Sequence, residues 1–332
     1  MALSLIGLEQ LQRKKNLLAF SAGSDSSALF HMLVNNNIPF DLAIVDYQKR
    51  AQSKAEVAYA KELAQHHKKI IFVKRVKLPD ANFEAEAKKV RFSFFEEIIK
   101  KHGYQNLITA HHLGDLFEWF LMQIAKGAGL VEAVGMEPIE KRSFYTIVRP
   151  LLLTPKKEIY DYLHQNNIVF FMDKSNKDIR YRRNYFRAKF SEPFLQEFSQ
   201  GVQKSFQYLL QDRSILLNRL HINEIEGLLI AKSMPNLYEE KRLLDRMAKR
   251  LGYLLSTKQK EEMLRQKQGV VGQKLAFFIN EDITMMAPYI QITIPKKFRE
   301  ECRQAAIPKP LRGYLFVNGI NPQQIREHTF EE

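Results

Sequence analysis

The sequence predicts an α/β protein: a parallel sheet flanked by helices, followed by a second, mainly helical C-terminal domain that carries a few strands. Three observations carry this. Short apolar runs alternate with helical patterns between residues 17 and 150, the pattern becomes helical and charged near 200, and strand-like runs return at 273–294. At 332 residues the chain exceeds the usual span of one core, so two domains are expected, at 1–197 and 198–332.

The elements follow in order. The N-terminal stretch MALSLIGLEQLQRKKN has its basic residues after the apolar ones, the reverse of a secretory signal, and reads as an amphipathic helix. LLAF (17–20), FDLAIVD (40–46), KIIFVKRV (69–76) and NLITAHH (106–112) are aliphatic or β-branched runs bounded by turn-formers, as buried strands are. Helical spacing fills 25–35, 53–66 and 84–101 between them. Such alternation implies βαβ units, whose ligands lie beyond the carboxyl ends of the strands. There the sequence places Ser21 to Ser27, Asp46 and His111 to Asp115. Thr154-Pro155 then starts a helix that runs to about Gln165, and a polar, basic loop, DKSNKDIRYRRNYFRAKF, follows it. From 200 to 268 no strand is signalled. KLAFFI, ITMM and YIQITI read as strands after that, with a turn at Asn280-Glu281-Asp282.

Composition excludes several classes of function. No apolar run approaches the roughly 20 residues that cross a bilayer, so no membrane role is expected and the cytoplasm is the expected location. Cys302 is the single cysteine, which excludes an intrachain disulfide and any zinc or iron–sulfur site needing two thiolates. Lys and Arg total 51 against 37 Asp and Glu, a formal charge of +14. That excess suits a polyanionic partner, nucleic acid before an anionic membrane surface, or a merely solubilising surface.

SAGSDSS at 21–27 ends a strand and opens a helix, so its backbone N–H groups and the helix dipole converge on one point that favours an anion. A P-loop would need Lys then Ser or Thr at the helix start; Asp25-Ser26-Ser27 stands there instead. From the loop alone Asp25 has two readings: a ligand of Mg2+ beside phosphates, or a helix cap.

SAGSDS (21–26) resembles the SGGxDS signature of the PP-loop ATP pyrophosphatases, which cleave ATP between its α and β phosphates and adenylate a substrate oxygen. The resemblance implies a PP-loop nucleotide-binding fold, with ATP held by Ser21, Ala22, Gly23, Ser24, Asp25, Ser26 and Asp46, and Mg2+ on Asp25. Ala22 replaces the first glycine, and a methyl group there is expected to need a negative φ.

Further motifs resemble the tRNA(Ile)-lysidine synthase family. IVDYQKRAQSKAE (44–56) is similar to that family's strand-end VDHGLR with a later Ser and Glu: Asp46, Arg50, Ser53 and Glu56 match, while Tyr47 replaces the His. NFEAEAKKVRFSFF (82–95) keeps Glu84 and Arg91 of N-x-E-x-x-A-R-x-x-R-Y, with Lys88 and Phe92 as substitutions. TAHHLGDLFEWF (109–120) resembles T-A-H-H-x-D-D-Q-x-E-T, but Gly114 and Leu116 stand where the family has the first Asp and the Gln. VRPLL (148–152) and Asp173, Ser175, Asn176, Arg183, Asn184 and Arg187 complete a match in order and spacing from about 17 to 190.

The resemblance implies a ligase that joins L-lysine to the wobble cytidine of an isoleucine tRNA with a CAU anticodon, through an adenylated cytidine, releasing AMP and pyrophosphate. Attack by lysine needs its neutral amine, and with a reference pKa near 10.4 deprotonation at pH 7 costs about 4.6 kcal/mol. Asp115 and Glu118 stand three apart, on one face of a helix that begins near Gly114, and can converge on the ammonium. They are the expected residues for lysine recognition and deprotonation. Arg91 is expected to orient reacting groups or to stabilise charge on the phosphate side. Taken alone, these residues read better as helix-start acids favoured by the dipole and an exposed surface arginine, and only the aligned motifs overturn that reading. His111 and His112, adjacent on a strand and without a cysteine pair, do not suggest zinc, and the resemblance places them at the floor of the substrate site. RYRRNYFRAK (180–189) interleaves basic and aromatic residues, so Arg180, Arg182, Arg183, Asn184 and Arg187 are expected at the tRNA, whose unpaired bases the aromatics could stack upon. Two other readings remain: a tRNA 2-thiolation enzyme of the same superfamily, disfavoured by the lone Cys302, and a non-catalytic RNA-binding protein on a decayed scaffold.

Overall fold

The computed structural model describes residues 5–49, 52–79, 83–172 and 181–327. The chain divides into two compact units, Met1–Ser214 and Ile215–Glu332.

In the first unit a six-stranded sheet has the order β3-β2-β1-β4-β6-β5. Its strands are β1 (Asn16–Ala19), β2 (Asp41–Asp46), β3 (Ile71–Arg75), β4 (Asn106–Ile108), β5 (Ile139–Lys141) and β6 (Thr146–Val148). Every pairing is parallel except the β5–β6 hairpin at the edge. β1 is central because both its faces are apolar: Leu17 and Leu18 are fully buried on opposite sides. On one face lie α2 (Ser24–Asn35), α3 (Ser53–His66) and α7 (Lys156–Gln165), which bury Leu29, Phe30, Leu33, Ala60, Ile159 and Leu163 against it. On the other, α4 (Phe83–His102) contributes Phe95, Ile98 and Ile99. Each large side chain so buried contributes about 1.5–3 kcal/mol. The expected N-terminal helix is a single turn, α1 (Leu8–Leu11), because Gly7 enters it with φ +72° and Gln12 leaves it extended.

The strand order puts β2 and β3 on one side of β1 and β4 and β6 on the other, so the chain reverses direction between β1 and β4. Open α/β sheets bind ligands at that reversal. The loop after β1 leads into α2, and the loop after β4 leads into α5 (Leu113–Ile124), so two helix N-termini meet there. Beyond α5 come α6 (Leu130–Ala133), α8 (Arg182–Phe186), a π-helical turn at Arg187–Ser191 and α9 (Glu192–Asn218). α9 is kinked at Phe198, whose φ and ψ are −121° and 24°. Its last turn carries the division at Ser214, so the boundary between the compact units lies later than the 197/198 division read from sequence.

The second unit is an antiparallel five-stranded sheet, β7-β8-β11-β10-β9, with helices on both faces. α10 (Leu237–Arg250) and α11 (Thr257–Gln266) cover one face, and α12 (Lys296–Gln304) and α13 (Arg312–Val317) the other; α14 (Pro322–Glu327) ends the described chain. β10 (Leu275–Ile279) and β11 (Ile283–Pro288) fall where strands were expected. β7 (Asn223–Ile225) and β8 (Leu228–Lys232) correct the expectation that no strand falls between 200 and 268, and β9 (Gln268–Val271) begins where that stretch ends. The missed signal is Glu226-Gly227, both at positive φ, a two-residue hairpin turn before a fully buried apolar run that has no period-2 pattern. YIQITI (289–294) forms no strand. Gly313 lies so close to it that a Cβ there would sit 2.1 Å from the Ile290 carbonyl oxygen, which is turned toward a helix instead of a neighbouring strand.

Candidate active site

β1 ends at Ala19, and the loop that follows folds on its own hydroxyls. Ser26 Oγ accepts from the Ser21 N–H (3.2 Å) and donates to the Gly23 carbonyl (3.2 Å), while Ser21 Oγ lies 3.1 Å from Ser26 Oγ. The turn is also tied down from outside: Phe171 N–H donates to the Ala22 carbonyl at 2.9 Å. Ala22 does not have the negative φ expected of it. Its φ is +59°, with the methyl fully buried in the apolar core. A left-handed alanine costs about 1–2 kcal/mol; the buried methyl offsets part of that, so the loop keeps a glycine-like shape without glycine.

Asp25 sits in the first turn of α2, and its carboxylate faces two cationic or polar groups. One oxygen accepts a hydrogen bond from Lys156 Nζ, which also donates to Ser24 Oγ at 2.9 Å. The other lies 3.9 Å from His112 Nε2. Lys156, at the start of α7, had no role in the sequence reading. A Thr-Pro helix start 131 residues away offers no local signal that its first lysine reaches this loop.

β4 ends at Ile108, so His111 and His112 stand beyond the strand, not on it as expected. His112 is the N-cap of α5: its Nδ1 accepts from the Gly114 N–H at 3.0 Å, and Asp115 Oδ2 accepts from the His112 N–H at 3.0 Å. An accepting Nδ1 leaves the proton of the neutral ring on Nε2, aimed between Asp25 and Asp115. The cap explains Gly114, since a Cβ there would lie 2.7 Å from His112 Cε1. Leu116 is fully buried against Leu113, Phe117 and Phe206, a core residue where the family pattern has Gln. His111 Nδ1 is 2.9 Å from Thr109 Oγ1. Burial pushes the His111 imidazole down to about 4, against the opposing pull of Asp115.

Asp115 and Glu118 do share one face of α5, but they are already engaged. Arg183 pairs with both, donating from Nε to Glu118 at 2.9 Å and closely from its terminus to Asp115. Arg187 forks onto Glu118 at 2.5 and 3.1 Å. The two arginines expected to track tRNA phosphates are thus committed to the two acids. Burial alone would raise the Asp115 carboxyl, but its interactions with His112 and Arg183 and the His112 backbone N–H hold it well below the usual carboxylate range. A carboxylate held that low binds a cation well and accepts a proton poorly at neutral pH. Asn184 is buried, whereas Arg182 is exposed and lies over the Phe186 ring. Arg180 lies outside the described residues, as do Arg50, Asp173, Ser175 and Asn176.

The remaining expected residues, Asp46 and Arg91, have partners of their own. Asp46, buried at the end of β2, accepts from the Gln48 N–H at 2.8 Å and is 3.9 Å from Arg75. Arg91 is exposed on α4, where its charge acts on Tyr47; burial raises the Tyr47 phenol and Arg91 opposes that rise. Among the described residues no three His, Cys, Asp or Glu side chains gather into a metal site. The donors present fit Mg2+ as it is commonly held with nucleotides, by one carboxylate, here Asp25, with phosphate oxygens and water. Cys302 is fully buried in the second unit, and burial pushes its thiol up to about 11, so it is no sulfur carrier.

A family model described as a PP-loop domain matches residues 4–193. Curated proteins named tRNA(Ile)-lysidine synthase are similar over almost the whole chain. One from Campylobacter jejuni is 45% identical, covering 95% of this chain and 96% of its own. One from Wolinella succinogenes is 41% identical over 94% and 96%, and one from Helicobacter pylori 38% identical over 93% and 91%. Among solved structures, the U34-tRNA thiolase NcsA from Methanococcus maripaludis is similar with a TM-score of 0.49, at 15% identity, covering 65% of this chain and 77% of its own.

Proposed function

This chain belongs to the tRNA(Ile)-lysidine synthase family, and from that premise we propose how its residues divide the reaction. The enzyme joins L-lysine to the wobble cytidine of isoleucine tRNA at the expense of ATP. Its two half-reactions need two charged sites close together, one for a triphosphate and one for an ammonium. The observation that carries the assignment is the short run Asp25, His112, Asp115, Glu118, which spans the reversal between β1 and β4.

In the first half-reaction the α2 N-terminus and the 21–26 loop hold the phosphates, with Asp25 as the residue that would hold Mg2+, whose charge would offset that of the triphosphate. Cytidine O2 forms a bond to the α-phosphorus while the bridging bond to the β-phosphate breaks, and the electron pair leaves with pyrophosphate. Asp46, buried at the end of β2, is assigned to ATP binding as well. In the second half-reaction the ammonium gives up a proton to solvent, the resulting ε-amine forms a bond to C2 while the C2–O2 bond breaks, and AMP leaves with O2 and its electron pair. Asp115 and Glu118 recognise the ammonium, and the lysine cation takes the place of one guanidinium. Arg183 is the one to yield, being 42% exposed against 20% for Arg187. Arg182, with the exposed Tyr181 and Tyr185, faces solvent as a tRNA-contacting surface should. No helix among the described residues is long and apolar enough to cross a membrane, and we place the enzyme in the cytoplasm with its tRNA.

The test is transfer of labelled lysine to an unmodified isoleucine tRNA with a CAU anticodon. ATP-dependent label in the tRNA, with one AMP and one pyrophosphate per lysine, is expected. Tight tRNA binding without transfer would leave a non-catalytic RNA-binding protein.

A further inference from the structure

We propose that Lys156 is a substrate-contacting residue of the adenylation step: its ammonium binds the β- and γ-phosphate oxygens of ATP and stays on pyrophosphate as it leaves. This rests on the placement of ATP at the 21–26 loop.

The loop has a charge problem of its own. Residues 21–27 contain no basic side chain and one acid, Asp25, whereas a triphosphate brings several negative charges and a helix N-terminus offers only about half a positive one. A P-loop solves this with a lysine inside its own motif. Here the cation comes from another element, with Lys156 Nζ donating to Ser24 Oγ at 2.9 Å and to Asp25. The fold fixes that approach from two sides. Leu113 N–H donates to the Thr154 carbonyl (3.1 Å), tying the start of α7 to the start of α5, and Phe171 N–H on the Ala22 carbonyl ties the segment after α7 to the loop. The next residue serves as a control for position. Lys157 is 86% exposed and pairs along its own helix with Asp161, the arrangement of an ordinary surface lysine. Lys156 is 32% exposed, close enough to solvent for a ligand to reach, and turned into the site. A pair as open as Lys156–Asp25 adds little to stability, so folding alone gives weak reason for it.

In the transfer the new bond joins cytidine O2 to the α-phosphorus, the bridging oxygen keeps the electron pair of the broken bond, and Lys156 keeps its proton. Its contribution is a charge-assisted hydrogen bond to an oxygen whose charge grows as pyrophosphate forms.

The test measures binding of MgATP and of magnesium pyrophosphate to the full chain by calorimetry, for wild type, Lys156→Gln and Lys156→Arg, with melting temperatures alongside. Lys156→Gln is expected to weaken pyrophosphate binding at least about tenfold and to lower the adenylation rate about 10²-fold with the lysine KM unchanged, while Lys156→Arg retains most of the binding. Unchanged pyrophosphate affinity in a folded Lys156→Gln protein, with only its melting temperature altered, would reduce Lys156 to a partner of Asp25 and overturn the proposal. Should that variant not fold, acylation of wild-type lysines read by peptide mass spectrometry decides instead: pyrophosphate must protect Lys156, and lack of protection overturns the claim. If wild type binds neither ligand, the ATP site itself is misplaced, a failure distinct from that of Lys156 alone.

Discussion

The β1 end and the β4 end of the site hold charge in opposite ways. At the β1 end one carboxylate, Asp25, meets one ammonium, Lys156, and both are about a third exposed. At the β4 end two carboxylates, Asp115 and Glu118, are 12% and 2% exposed and meet two guanidiniums. An exposed pair opens at little cost, because water compensates both partners. A buried pair cannot simply be opened, since an uncompensated buried charge costs several kcal/mol. The β1 end can therefore accept an anion that slides between its partners. The β4 end can accept only an exchange of one cation for another, which makes it selective for a ligand carrying a positive charge.

The largest effect expected from breaking this comparison is at the β1 end. Asp25→Asn should lower adenylation by more than about 10²-fold, as loss of a group acting on developing phosphate charge does, while tRNA binding stays nearly intact. Adenylation at the wild-type rate would leave Asp25 as an acid of the first α2 turn, favoured by the helix dipole and paired with Lys156.

At the β4 end the comparison sharpens with acid. His111, faced by Asp115, Arg149, Arg183 and His112, has its pKa depressed to about 4. As pH falls below about 6.5 the unfolded chain takes up a proton that the folded chain refuses, so stability is lost progressively down to about pH 4, by an amount of order 1–3 kcal/mol. Asp115, whose pKa is also depressed, adds its loss only further down, as pH drops through the ordinary carboxylate range and below. Melting temperatures of wild type and His111→Gln at pH 7 and pH 5 should converge on acidification; parallel curves would mean that the ring is not buried in its neutral form.

Arg183→Gln separates the two roles open to that side chain. If Arg183 occupies the place of the substrate cation, the variant lowers the lysine KM severalfold and leaves the salt dependence of tRNA binding unchanged. A phosphate-tracking arginine would instead reduce the log–log salt slope by about 0.7–0.9. The smallest effect belongs to Ala22→Gly. Relief of the left-handed strain is opposed by loss of a buried methyl and by the greater freedom of glycine in the unfolded chain, so stability should change by less than about 1 kcal/mol. A large gain in melting temperature would show that the loop is strained well beyond this.

The sequence was most legible where local chemistry coincides with place in the fold. The run at 40–46 is a strand because it is buried on both faces, the run at 69–76 because its β-branched and aromatic residues suit the half-buried sheet edge, and the small residues at 21–27 mark the reversal point because only a tight turn can lead from β1 into α2. Asp115 and Glu118 follow from helical spacing. Their partners do not: nothing local to Arg183 or Arg187 distinguishes a guanidinium aimed at a carboxylate from one aimed at a phosphate. Lys156 and the Asp25 it meets are 131 residues apart, and only the packing of α7 against α2 joins them. The hairpin at Glu226-Gly227 escaped because a short, fully buried strand has no alternation to read.

The division of labour between the two ends is tested most directly by lysine and ATP saturation measured side by side in Asp115→Asn and Glu118→Gln. Both changes keep side-chain size and remove one charge from the β4 end while leaving the 21–27 loop untouched. The lysine KM should rise at least about tenfold in each, the loss of a charge-assisted contact, with the ATP KM unchanged. Normal lysine saturation in both variants, accompanied only by a lower melting temperature, would make these acids structural partners of Arg183 and Arg187 and would contradict the assignment of the β4 end to lysine.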